Sequence, residues 1–387
     1  MRLDPRLAPC IEELLAASAS SPDIAPVFSG YCAALARHCV PFWRATLGLE
    51  FLHPEVSGSM FIWRADGTEE RDTPRPGILQ SEAYRNSPTR VVDETNLTFR
   101  RRLDAPCPDM PLLEELRSAG ASDYVMMPLP FIDQSRTANM SFASRAPSGF
   151  SERDLDILHQ ASKLFSPFAE RIVLHRIAGD LLDTYVGPRT GRRILAGQIE
   201  RGHFEATEAA MWFADLRGYT ALSEATPVGG VVDILNAWFE AMGDAVDGHG
   251  GEILKFMGDG ALAIFPTSER ANIQQVCARA LAAAEELAVR IDGLNQTRGW
   301  QLAFGLALHF GRVAYGNIGA PRRLDFTVIG PAVNATARLE PLTKALCRRI
   351  IASEAFRNAL GAPMTHLGEH QLRGIEQPQN VFAPTAV

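Results

Sequence analysis

Phe213-Ala214-Asp215-Leu216-Arg217-Gly218-Tyr219-Thr220 and, further on, Gly258-Asp259-Gly260 are the stretches on which the reading of this chain turns. Each aspartate follows a short apolar run and has glycine close by, so each carboxylate is expected at a strand end near open backbone N–H groups. Two hard oxygen ligands on rigid strand ends suit a pair of Mg²⁺ ions. The neighbouring glycines let phosphate groups approach the main chain. Alone, Asp215 would more often be a turn aspartate capping local N–H groups. Its pairing with Asp259 makes it a ligand candidate.

Around these turns the pattern is regular. A strand over 209–213 leads into Asp215, and Thr226-Pro227 opens a helix. That helix sets Ile234, Leu235, Trp238, Phe239, Met242 and Val246 on one face, and Gly250-Gly251 ends it. Segments 252–256 and 261–265 form a hairpin with Asp259 at its tip. A helix over 269–291, strands over 302–310, 313–317 and 326–329, and a helix over 331–342 follow. Helices mixed with antiparallel strands predict an α+β domain with helices over one face of its sheet.

Upstream, 16–150 alternates helical and strand-like segments: a helix over 31–43 and strands at 59–63, 123–129 and 138–143. Ser151 then caps a long helix whose Leu155, Leu158, Phe165, Phe168, Ile172 and His175 approach a heptad stripe. Pro167 should kink it, and Gly187-Pro188 should break it before a short helix over 190–199. The stripe fits a dimerising connector or packing on its own domain equally well.

The 387 residues hold two domains of ordinary size. A hydrophobic share of 46% against 21% charged argues against global disorder, and a net charge of −7 against a nucleic-acid-coating protein. No apolar run approaches the ~20 residues of a membrane helix, and no signal-peptide core opens the chain. A cytoplasmic location is expected. The six cysteines then read as reduced thiols; Cys32 and Cys39 share a helix face, but core packing outweighs a metal or redox pair.

A Mg-triphosphate site also needs phosphate donors, a base-reading pair and a cation for charge developing in the transition state. The turn from Leu216 to Thr220 offers N–H groups, with the Leu216 carbonyl beside the metals. Lys255 stands four residues before Asp259. Asn334 and Arg338 lie one turn apart on one helix face, and Arg373 is a further cation. His366-Leu367-Gly368-Glu369-His370 matches a zinc-protease pattern, but Pro363 and Gly368 favour a strand, which cannot bring both histidines to one metal.

Together, Phe213 to Thr220, Lys255-Phe256-Met257-Gly258-Asp259, and Val328-Ile329-Gly330 with Val333-Asn334-Ala335-Thr336-Ala337-Arg338 closely resemble the class III adenylate/guanylate cyclase catalytic domain. The resemblance runs from about 205 to 381 and implies a cyclase-type, ferredoxin-like antiparallel sheet with helices. It further implies that Asp215, Asp259 and the Leu216 carbonyl bind two Mg²⁺, for which Mn²⁺ can substitute. Lys255 and Thr327 would read the base, Asn334 would orient the ribose, and Arg338 would stabilise the transition state. Arg373 would hold terminal phosphates, with Phe213, Gly218, Tyr219 and Thr220 completing the substrate site. Family sites form between two antiparallel domains, so a homodimer through the cyclase domain and connector helices is implied.

Lys255 donates and suits adenine N1, while the Thr327 hydroxyl can accept from N6; guanine reverses both. ATP is the expected substrate, cyclised to cyclic AMP. Threonine at 327, where aspartate is common, resembles a subgroup with bicarbonate-responsive members, and Arg373 stands where lysine is usual. The rivals are a guanylate cyclase and a non-catalytic nucleotide-binding signalling protein. The strands and closing helix of 16–175 resemble a GAF-like α/β sensor domain for an unidentified small ligand or signal. A helical connector, 176–204, would join it to the cyclase domain, 205–384.

Overall fold

The computed structural model describes residues 3–21, 23–50, 58–72, 77–132, 138–267 and 272–385. They form two compact units, Met1–Leu181 and Leu182–Val387. Among the described residues, no helix is long and apolar enough to cross a membrane.

Unit 1 is built on six strands: β1 (Arg44–Glu50), β2 (Gly58–Arg64), β3 (Glu69–Asp72), β4 (Phe99–Arg102), β5 (Asp123–Pro128) and β6 (Ala138–Ser144). Their order is β3-β2-β1-β6-β5-β4, every neighbouring pair antiparallel. One sheet face packs on α1 (Ala8–Ser20), α2 (Ile24–His38) and α6 (Glu152–Val186), burying Leu47, Val125, Met140 and Phe142. The other meets α3 (Glu82–Arg85), α4 (Pro88–Thr95) and α5 (Pro111–Ser118), where Val92, Leu113 and Leu116 cover Tyr124 and Met126. Successive β5 residues thus enter different layers, as a two-residue side-chain period requires.

The helix expected over 31–43 stops at His38, because Pro41 precedes a strand that the reading of 16–150 did not contain. The heptad-like stripe belongs to unit 1's own core. Leu158 and Phe165 are fully buried there, Leu155, Phe168 and Ile172 pack against it, and His175 is exposed. Pro167 lies inside α6 without ending it; Gly187, at φ +85°, does end it. Cys39 faces Cys10 (Sγ–Sγ 3.6 Å) rather than the buried Cys32.

Unit 2 begins with α7 (Pro188–Leu195) and β7 (Phe204–Leu216), then α8 (Tyr219–Ala225) and α9 (Val228–Gly248). The hairpin β8 (Glu252–Met257) and β9 (Gly260–Pro266), α10 (Ile273–Arg298), β10 (Phe304–Ala320) and β11 (Arg323–Ile329) follow. The chain closes with α11 (Pro331–Leu339), α12 (Leu342–Ala345), β12 (Ile350–Ser353), α13 (Glu354–Leu360), β13 (Met364–His370) and β14 (Gln379–Pro384). The start expected for α10 falls on residues 268–271, outside the described residues. The sheet order is β13-β14-β12-β10-β7-β9-β8, with β11 on β10; only the β10–β12 pair is parallel.

Where two strands were expected over 302–317, β10 is one strand of 17 residues, held along its length by β7. On one face α9, α10 and α13 enclose Trp212, Ala214, Phe265 and Phe304. Helices do not keep to that face: α11 covers the other, where Ala332 packs with Met211, Leu262, Ile264 and Val313.

The buried Glu252 of β8 ties α7 to this sheet. Its carboxylate accepts from the Thr190 N–H (3.2 Å), the Thr190 hydroxyl (3.0 Å) and the Tyr315 hydroxyl (3.0 Å). Glu252→Ala removes the shared acceptor while Thr190 and Tyr315 stay buried. In urea titrations it should cost about 1–3 kcal/mol; an unchanged midpoint would show that the network contributes nothing.

Candidate active site

Asp215 lies near the end of β7, one strand longer than its sequence suggested, and follows Met211 and Phe213 on the α11 face. Asp259 sits in the β8–β9 turn, which Gly258 makes possible at φ +67°. Two contacts bring the acids together. The fully buried Trp238 of α9 donates from Nε1 to the Asp259 carbonyl (2.8 Å), fixing the hairpin tip. Gly260 presses bare backbone against Asp215: a Cβ there would lie 3.2 Å from Asp215 Oδ1 and 2.9 Å from the Ala214 carbonyl oxygen.

Burial raises the Asp215 carboxyl well above the usual carboxylate range. The hydrogen bond and charge of Asp259 push it further, Glu340 adds to this, and the Leu216 N–H pulls back. Glu340 is a third acid that the motif reading passed over. It lies against Gly305, the register partner of Asp215, where a Cβ would come within 2.4 Å of its Oε1. Burial raises its carboxyl too, and Asp259 adds to that against Thr343 and Arg217.

Two carboxylates held together against their own repulsion, with hard oxygens and little side-chain bulk around them, fit divalent cations. Among the described residues no group of three or more His, Cys, Asp or Glu forms a metal cage. The pair therefore suits an ion that keeps water and phosphate oxygens in its shell, as Mg²⁺ does. The His366–His370 segment is strand β13, as its glycine and proline predicted; His366 bonds Asn380 and His370 the Leu367 carbonyl.

Lys255 owes its position to a β-bulge. The β8–β9 register jumps from Ile253↔Ala263 to Lys255↔Leu262, so Lys255 shares the face of Leu262 instead of the main core. There it forms an ion pair with Asp325 of β11. Thr327 lies two residues on, on the same strand face as Asp325. Asp325 was also missed, although strand alternation beside Thr327 could have marked it.

On α11, Ala332, Thr336 and Leu339 turn inward while Asn334 and Arg338 stay exposed, the arrangement their spacing predicts. Arg373, after β13, is exposed as well, and neither arginine has an ion-pair partner among the described residues. Gly218 takes φ +73° at the start of α8, Tyr219 packs against the main core, and Thr220 is exposed. The structure thus joins Asp215 to Asp259 and brings Lys255 to the strand of Thr327. Asn334, Arg338 and Arg373 project into solvent.

The raised Asp215 carboxyl gives a stability signature. A carboxyl raised by folding stabilises fully below its ordinary value of 3.8, and that contribution is lost as pH rises through the raised value. In metal-free protein, Asp215→Asn should raise the unit 2 melting temperature at pH 8 by about 2–4 °C and leave it unchanged near pH 4. An equal effect at both pH values would exclude charge repulsion as its source.

Comparison with known proteins agrees with this geometry. Residues 203–383 match the family model described as the adenylate and guanylate cyclase catalytic domain. An uncharacterized protein of Mycobacterium tuberculosis is 38% identical over 206 residues, 51% of this chain and 37% of its own length. An adenylate cyclase of Anabaena cylindrica is 35% identical over 173 residues, 43% of this chain and 33% of its own. This chain thus spans about a third of the length of these curated relatives. A bacterial light-regulated adenylyl cyclase shares the fold at 18% identity, with a TM-score of 0.50 over 75% of this chain and 93% of that one. The carboxylate pair, the strand order that creates it and the family match converge: residues 203–383 form an adenylate and guanylate cyclase catalytic domain.

Proposed function

We propose that this protein converts ATP to 3′,5′-cyclic AMP and pyrophosphate at a site completed by a second copy of the chain. The observation that carries this is the Asp215–Asp259 pair, two acids held within hydrogen-bond reach on neighbouring strand ends, neither with an ion-pair partner among the described residues. Two Mg²⁺ ions, or Mn²⁺, held there with the Leu216 carbonyl would supply the Lewis acidity that makes a ribose hydroxyl nucleophilic and neutralises a leaving pyrophosphate. The open backbone around Gly218 receives the phosphates beside Tyr219 and Thr220, with Phe213 backing Asp215.

Base selection belongs to Lys255 and Thr327. Lys255 donates to adenine N1 and the Thr327 hydroxyl accepts from N6, whereas guanine would set donor against donor. Asp325 positions the Lys255 ammonium. Asn334 orients the ribose and Arg338 meets the charge that gathers on the α-phosphoryl oxygens as the 3′ oxygen–phosphorus bond forms and the bond to pyrophosphate breaks. Arg373 holds the terminal phosphates. Exposed Asn334, Arg338 and Arg373 support delivery of these groups to the acids of an antiparallel partner, giving a homodimer with two equivalent sites. Unit 1 would act as a GAF-like sensor module in a cytoplasmic signalling protein.

Purified protein incubated with Mg²⁺ or Mn²⁺ and either ATP or GTP should form cyclic AMP in preference to cyclic GMP. No cyclic product from either nucleotide would leave a nucleotide-binding signalling protein, and a GTP preference would overturn the base assignment. Asp215→Ala, Asp259→Ala and Arg338→Ala should each lose at least about 100-fold in kcat. Mixing the Asp215→Ala and Arg338→Ala chains should restore activity, since one of the two sites in a mixed dimer is then intact. No recovery in mixtures shown to exchange subunits would sink the shared site. Asp325→Ala should reduce the ATP-over-GTP preference about tenfold, measured as the ratio of kcat/KM values.

A further inference from the structure

The sheet of unit 1 carries a buried face that is not apolar. Along β1, Ala45, Leu47 and Leu49 enter the core with α1, α2 and α6. The alternate residues Arg44, Thr46 and Gly48 turn to the other face, where the register sets Thr46 and Gly48 beside Ser141 and Asn139 of β6. Arg44, Thr46, Ser141, Asn139 and the neighbouring Tyr124 are each at most 8% exposed. A buried sheet face is ordinarily hydrophobic, and polar groups placed there are ordinarily paired.

Thr46 and Ser141 do pair, hydroxyl to hydroxyl. Two other groups do not. The buried Tyr124 hydroxyl has no hydrogen bond of good geometry, though Ser141 stands near enough to pull on it. Among the described residues the Arg44 guanidinium has no hydrogen bond and no ion pair, though the residue is only 8% exposed. Burial draws the Arg44 guanidinium below its usual value, and burial pushes the Tyr124 phenol up to about 12 against the pull of Ser141 and Arg44. An unpaired guanidinium inside a domain costs stability and gains a role only from a partner of opposite charge.

Both groups line one cavity of about 470 Å³ between the sheet and α3, α4 and α5, within the usual range of small-molecule sites. Gly48 helps to shape its floor: a Cβ there would lie 2.8 Å from Asn139 Oδ1, so the asparagine amide occupies that space. Met60, Met126 and Leu112 supply apolar wall. Glu50 and Asp93 also line it, Asp93 accepting from the Tyr84 hydroxyl at 3.0 Å. One cation and one hydroxyl donor match a single negative charge better than the several charges of a phosphate.

We propose that unit 1 binds a small organic monocarboxylate in this cavity. Its carboxylate takes the Arg44 guanidinium together with the Tyr124 hydroxyl, and its apolar body lies against Met60, Met126 and Leu112. The assignment goes beyond the cyclase reading and stands without it.

Isothermal titration of the full chain with benzoate, phenylacetate and indole-3-acetate, each beside its primary amide, and with inorganic phosphate tests this. At least one acid should bind saturably and its amide at least about tenfold more weakly. Arg44→Gln should weaken that acid about 10–100-fold and leave cyclic nucleotide formation without the acid unchanged. The ligand-free variant should melt no lower than the parent, because it loses an unpaired buried charge. Should Arg44→Gln misfold, Tyr124→Phe should still weaken the acid severalfold. Binding of none of the acids, equal binding of acid and amide, parental affinity in folded Arg44→Gln, or binding of phosphate alone would overturn the proposal.

Discussion

Repulsion between two carboxylates organises unit 2. Asp215 and Asp259 come from adjacent strand ends, and the fold holds them close enough that one raises the proton affinity of the other. Among the described residues neither has an ion-pair partner, and Glu340 adds a third acid nearby. Such an arrangement costs stability in the metal-free protein. It persists because the surrounding elements leave it no room to relax, which is what a cation-binding site needs before the cation arrives.

The surrounding elements act by small steric choices. Gly260 and Gly305 are bare where the Asp215 and Glu340 side chains approach the strands. Trp238 reaches from α9 to the carbonyl of Asp259, so the main helical core sets the position of the hairpin tip. A single bulge turns Lys255 from the core face to the face that bears Asp215. The face that bears the acids is thus defined by where side chains are missing or re-aimed as much as by the acids themselves.

Unit 1 distributes polarity differently. One face of its sheet is a conventional apolar core with α1, α2 and α6. The opposite face buries the Arg44 guanidinium and the Tyr124 hydroxyl, which find no ion pair and no hydrogen bond of good geometry among the described residues. Fold stability does not call for that face, so it is better understood through what it can bind. The stripe of α6 that resembled a dimer seam is used within this unit, since Leu158 and Phe165 fill its core.

The sequence by itself located the candidate C-terminal residues. Asp215, Asp259, Lys255, Asn334 and Arg338 stand in short local motifs, and local glycines and helical spacing suffice to place them at turns, on a strand and on one helix face. It also predicted α9, the β8–β9 hairpin and the strand nature of His366 to His370, each from local periodicity or a breaker. Only the tertiary structure decided the rest. Glu340 and Asp325 join the site through contacts between segments 81 and 70 residues apart from their partners. The side on which Lys255 emerges depends on a bulge that no residue type announces. Whether Arg44 is a surface arginine or a buried one is settled by which strands flank β1, and pairing across a sheet is not written in any local pattern.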